Sequence, residues 1–153
     1  AKVEKGIFSL LKIFDEITIN AELSVVGRVD GGLVAQNFMQ NKKTIFLGHG
    51  FNGSKLINIY DNHNIFILPS FTEAHPKVID ESLARVRPVI IFEEIKHIIQ
   101  NRKGIFVSKR NTKSLIQTIE FIMKNYTSIQ ESMRKNQLPT RQKFISEMVN
   151  ILS

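Results

Sequence analysis

Five short apolar runs punctuate this chain: ELSVVG, TIFL, NIFIL, PVIIF and GIFV, with stretches of helical length between them. Runs this short, bounded by Gly, Pro or Asn, suit buried strands better than buried helices. The intervening segments carry the helical signal. Ile7, Leu10, Leu11, Phe14 and Ile17 recur at helical spacing and predict an amphipathic helix. A weaker helix is expected over Leu33 to Gln40, one capped by Ser54 and running to about Asn62, one after Pro76, and a short one after Glu93. From Asn111 to Ser153 every segment reads as helix. Strands alternating with helices predict a Rossmann-like, doubly wound, mainly parallel sheet with helices on both faces. The 153 residues are expected to form a single α/β domain.

In such sheets ligands bind at the carboxyl ends of the strands. The loops that matter here follow Val26, Leu47, Leu68, Phe92 and Val107. Composition narrows the ligand. The chain lacks cysteine, so thiolate metal sites are excluded, and its four histidines, His49, His63, His75 and His97, stand singly. No metal or other cofactor is therefore expected. The net charge of +7 is uneven, with eleven Lys and Arg between Lys96 and Lys143 against Glu120 and Glu131. That stretch fits a solvated surface, steering of an anionic substrate, or an anionic membrane face. Nucleic acid is not an expected partner, because aromatics do not interleave with the charges. No apolar run approaches the roughly 20 residues needed to cross a bilayer. A cytoplasmic location is expected, with peripheral contact at the inner membrane face left open.

Two loops carry unusual sequence. GHGFNG, Gly48 to Gly53, matches the dinucleotide pattern GxGxxG, with Glu73 a further 20 residues on. That fingerprint belongs after the first strand of its sheet, however, and ELSVVG comes earlier. Tight turns, or a ligand wall approached closely by backbone, are the other readings. The second candidate, SFTEAHPKVIDESLAR, places Glu73 in a loop and Glu81 on the following helix, seven residues between them. Ile79, Leu83 and Val86 are expected to form the buried stripe, with Glu81 opposite, near Lys77 and Arg85. Solvent-facing carboxylates remain the plain reading. A phosphate at the helix N-terminus, with carboxylates accepting from sugar hydroxyls, is the functional one.

Ordered landmarks run from Lys5 to about Met123: Lys5-Gly6, then FLG at Phe46 to Gly48, then LINIYDNHNIFILPS from Leu56, EAHPKVIDE, SLARVRPVI, and Gly104 to Val107. Together they resemble the C-terminal, nucleotide-sugar-binding half of GT-B retaining glycosyltransferases of group 1, the family that includes glycogen-synthase-like and sucrose-synthase-like enzymes. The resemblance implies that Glu73 contacts the donor sugar near the reacting centre and that Glu81 holds the ribose hydroxyls. It implies that backbone at Ala74, His75, Lys77 and Val78 meets sugar and phosphate, that Lys5 neutralises the diphosphate, and that Gly48 and His49 line the base. The implied partners are a nucleotide diphosphate sugar and an N-terminal acceptor domain outside this chain, as is the first strand of the domain. The implied activity is sugar transfer with retained anomeric configuration, and this chain, as a fragment, is expected to bind donor weakly and to transfer nothing alone.

Two departures stand out. Val86-Arg87 replaces the family's small residue and Gly, which predicts a looser turn into PVIIF. Phe92-Glu93-Glu94 replaces the Gly-Gly after that strand, bringing two acids toward an expected pyrophosphate. They motivate a second reading, a degenerate binding module without catalysis. An epimerase-like domain is a third, disfavoured by the carboxylate spacing.

Overall fold

A computed structural model of the protein describes residues 6–28, 43–140 and 142. Its elements follow the predicted alternation: α1 (Ile7–Asp15), β1 (Leu23–Val26), β2 (Thr44–Gly48), α2 (Gly53–Asp61), β3 (Phe66–Leu68), α3 (Lys77–Ala84), β4 (Val89–Phe92), a 3-10 segment (Glu93–Ile99), β5 (Ile105–Ser108), α4 (Thr112–Lys124) and α5 (Tyr126–Met133). The helix expected over Leu33 to Gln40 and the one after Pro139 fall outside the described residues.

All strand pairings among the described residues are parallel. β1 pairs with β2, while β4 lies between β3 and β5, with Ile90 opposite both Ile67 and Phe106. Val89, Ile90, Ile91 and Phe92 are all fully buried. A parallel strand covered on both faces needs a continuous apolar run, not an alternating one, and PVIIF supplies it. The core gathers around β4: Leu10, Leu11 and Phe14 from α1, Ile79 and Leu83 from α3, Ile95 and Ile98 from the 3-10 segment, Leu115 and Ile122 from α4. β1 belongs to the same core through Leu23 and Val25, and β2 packs Phe46 against it, yet the two form a separate two-stranded ladder. β2 is the thinner element, with Ile45 and Leu47 exposed.

Helix ends explain where the predicted boundaries shift. Asn111 caps α4, its side-chain oxygen accepting from the Ser114 amide at 2.9 Å. Ser54 does not cap α2: Asn52 takes the N-cap position without a side-chain bond, and Ser54 lies inside the helix. Pro76, in extended conformation, stands just ahead of α3.

Val86 is not part of the α3 stripe. It follows the helix in the left-handed conformation, φ 55°. The Val86 amide donates to Leu83 at 2.9 Å and the Arg87 amide to Ser82 at 3.0 Å, the paired bonds of a Schellman end. The Ser82 hydroxyl returns a bond to the Arg87 carbonyl, and Gln130 donates to the Val86 carbonyl, each at 3.0 Å. The turn into β4 is therefore tight, contrary to the looser turn predicted from Val86-Arg87. Surrounding bonds hold a β-branched residue in a conformation that glycine adopts more easily.

Candidate functional site

β3 delivers the chain to Pro69 and Ser70, and α3 begins at Lys77, so Glu73, Ala74 and His75 occupy the connecting loop. Ser70 is buried, and its hydroxyl donates to Glu73 Oε1 at 2.7 Å. His97, from the 3-10 segment, lies with Nε2 2.8 Å from the Glu73 carbonyl. Because a carbonyl only accepts, that ring nitrogen carries the proton. Glu73 is half-buried and gripped at both side chain and backbone. Ala74 and His75 are exposed, and His75 Nε2 stands 3.5 Å from Asp80 Oδ2. Asp80 sits in the first turn of α3 and is bound by Arg102 Nη1 at 2.7 Å. At that helix start the amides of Lys77 and Val78 have no intrahelical acceptor, whereas Ile79 donates to Pro76 at 3.1 Å.

Glu81 lies one turn further and is exposed. The neighbours expected for it, Lys77 and Arg85, are not the ones it uses. Arg85 forks onto Asp61 instead, Nε to Oδ1 at 2.9 Å and Nη2 to Oδ2 at 2.5 Å. The partner of Glu81 is Tyr60, on α2, whose hydroxyl donates to Oε2 at 3.1 Å and lies 3.3 Å from the Val78 carbonyl. Burial, then the adjacent Glu81 carboxylate, pushes the Tyr60 phenol far above its ordinary range, so it remains a donor. One hydroxyl leaves most acceptor capacity of an exposed carboxylate for a ligand.

Gly48 ends β2 and His49 follows it, both exposed. His49 Nε2 accepts from Arg28 Nε at 3.2 Å, joining the loops after β1 and β2. Lys5 lies outside the described residues. Its neighbour Gly6 has φ 64°, and a Cβ built there would stand 1.9 Å from the Pro69 carbonyl oxygen. The start of α1 thus rests directly on the loop that leads to Glu73.

One of the two acids after β4, Glu94, is disposed differently from the expectation. Arg110, after β5, binds Glu94 through Nε at 2.8 Å and Nη2 at 3.3 Å. The hydrogen bond from Arg110 holds the Glu94 carboxyl below its ordinary range. Glu94 is thus a compensated charge, not a free one facing an anion. Ser70, Tyr60, His97, Arg28 and Arg110 were not singled out from the sequence. Ser70 had a signal in the Pro-Ser that ends the β3 run. Arg110 had none, being one cation in a basic stretch. A cavity of about 300 Å³ between α1 and the start of α4 shares only Arg110 with this cluster.

Comparison with known proteins places this geometry. The model of the family "Glycosyl transferases group 1" matches residues 1–125. The capsular polysaccharide biosynthesis glycosyltransferase CapM of Staphylococcus aureus is 27% identical over 95% of this chain and 40% of its own length. Sucrose-phosphate synthase from Thermosynechococcus elongatus superposes with a TM-score of 0.73 at 18% identity, over 99% of this chain and 42% of that one. Anabaena HepE, solved in complex with UDP, gives 0.67 at 13% identity over 86% of this chain and 39% of its own. A second HepE structure contains UDP-glucose. The chain spans about two fifths of the length of these proteins. The solved structures share its fold, the Rossmann-like half of a GT-B architecture. Among the described residues no helix is long and apolar enough to cross a membrane.

Proposed function

The chain belongs to the group 1 glycosyl transferases, and on that premise we propose that it is the donor-binding half of a retaining enzyme using a nucleotide diphosphate sugar. The observation that carries the reading is the placement of Glu73 and Glu81 on either side of the α3 start, where Lys77 and Val78 present unused amides. Glu81 accepts from the ribose hydroxyls. The amides and Lys5 meet the diphosphate, where a helix N-terminus favours negative charge. Glu73, its carboxylate preset by Ser70, faces the positive character that grows at the anomeric carbon as the diphosphate leaves. Gly48 and His49 line the base. Remaining parts of a longer protein supply the acceptor domain, and the product is a surface polysaccharide or glycoconjugate, in line with the name of CapM.

The departures that favour a non-catalytic module weigh less against this reading than the sequence suggests. Val86 keeps the turn that a glycine would make, and Arg110 compensates Glu94. Calorimetric titration with nucleotide diphosphate sugars and the matching free diphosphates tests the assignment. Glu81→Gln is expected to weaken both ligand sets by a common factor of about ten, as the loss of charge-assisted hydrogen bonds implies. Glu73→Gln is expected to weaken only the sugar-bearing ligands. Unchanged binding in the Glu81 variant removes the ribose role.

A further inference from the structure

We propose that Arg110 is a positioning residue for Glu73, acting through Ser70; this rests on the reading of Glu73 as the group beside the donor sugar. The Arg110 guanidinium gathers the loop after β3. Nη1 donates to the Pro69 carbonyl at 2.9 Å and Nη2 to the Ser70 carbonyl at 3.2 Å. Glu94 fixes the other edge of the fork, and Cζ lies 4.0 Å from the Phe71 ring centroid and 4.1 Å from that of Phe92. Phe92 is fully buried at the end of β4, so the guanidinium stacks on a rigid surface.

Ser70 transmits the constraint. Its carbonyl is held by Arg110, while its hydroxyl donates to Glu73 Oε1 at 2.7 Å. With Ser70 itself buried, a shift of its backbone moves the hydroxyl that orients the carboxylate. Arg110 directs its donors at protein acceptors, and Glu94 cancels its charge, so it orders the loop without adding net charge toward a diphosphate. A lysine cannot reproduce this role. It has no planar fork to bridge two carbonyls and a carboxylate, and no flat face for the aromatic rings. The segment that takes the place of a Gly-Gly in this chain, Phe92-Glu93-Glu94, thereby contributes two of the groups that hold Arg110.

The experiment is calorimetric titration of the whole protein with UDP, GDP, ADP and dTDP, and with UDP-glucose, GDP-mannose, ADP-glucose and dTDP-glucose. The readout is the ratio of sugar-nucleotide affinity to free-diphosphate affinity, which general loosening of the fold does not change. Arg110→Gln and Ser70→Ala are each expected to lower that ratio about tenfold, the scale of a charge-assisted hydrogen bond. Ser70→Ala leaves free-diphosphate affinity unchanged, whereas Arg110→Gln also uncovers the Glu94 charge, which weakens both ligand sets by a common factor that the ratio cancels. Arg110→Lys behaves like Arg110→Gln. The Glu73→Gln/Arg110→Gln double variant shows a ratio no lower than that of Glu73→Gln alone, because both changes act on it through one group. Equal loss for both ligand sets, additive losses, or full recovery with lysine overturns the proposal. Should Arg110→Gln not fold, the near-isosteric Ser70→Ala decides the point. If Glu73→Gln leaves the wild-type ratio untouched, the assignment of Glu73 itself fails, and the role of Arg110 falls with it.

Discussion

Glu73 and Glu81 belong to one short segment, yet the structure treats them in opposite ways. The Glu73 region is held from several directions: by the Ser70 hydroxyl, by His97 at the carbonyl, by Arg110 on the preceding backbone, and by Gly6 of α1 pressed against Pro69. Among the described residues the Glu81 side chain is held by one phenol on an exposed face, and the arginine beside it is engaged elsewhere. The contrast matches two different chemical tasks. A group beside a reacting carbon must be fixed before the reaction, whereas a group that grips two vicinal hydroxyls can settle as the ligand arrives.

The hardest blow to this contrast is Gly6→Ala. Its left-handed backbone and the near-contact with Pro69 predict a loss of about 3 kcal/mol in urea denaturation, combining strain with overpacking. A loss under about 1 kcal/mol would mean that the Glu73 loop is less rigidly buttressed than the geometry indicates. On the Glu81 side the expected sign reverses. Val86→Gly should stabilise by about 1 kcal/mol, because glycine accepts φ 55° without the Cβ penalty while the Schellman bonds persist. A destabilised Val86→Gly would show that the packing of the valine outweighs its strain.

Tyr60→Phe probes the tie that the phenol makes on Glu81. It keeps the edge-to-face contact with Phe66, at 5.9 Å and 69°, and removes only the donor. The expected cost is about 0.5 kcal/mol in thermal denaturation, since the exposed carboxylate is readily rehydrated. The smallest effect concerns pH. Glu94 has its carboxyl lowered by Arg110, so the pair contributes stability above the ordinary carboxylate value of 4.5 and loses it as pH falls through the lower folded value. With Glu94 36% exposed, solvent screening keeps that contribution to about 0.3 kcal/mol. The stability difference between wild type and Glu94→Gln should therefore be present at pH 7 and shrink as the pH falls below the ordinary carboxylate value. A difference that stays constant on acidification would point to packing, not charge.

Much of the fold was legible because burial of a parallel strand leaves a direct mark in the chain. PVIIF reads as a buried strand, and it is the centre of the core. The stripe of α1 was equally plain, with Leu10, Leu11 and Phe14 buried as the spacing requires. Local rules failed at ends. Ser54 satisfies the chemistry of a cap, but the N-cap position falls two residues earlier, at Asn52. Val86 continues the apolar period of α3 past the point where the helix has already turned.

The sequence by itself determined the strand and helix order, the loop that carries Glu73, the helix that carries Glu81, and the family likeness. Each of these rests on periodicity or on residues close together in the chain. Only the tertiary structure decided what surrounds the two acids. Arg110 reaches Ser70 across 40 residues, Tyr60 reaches Glu81 across 21, and His97 reaches Glu73 across 24. A hydrogen bond depends on a few tenths of an ångström between atoms brought together by crossovers, and no local pattern encodes that distance.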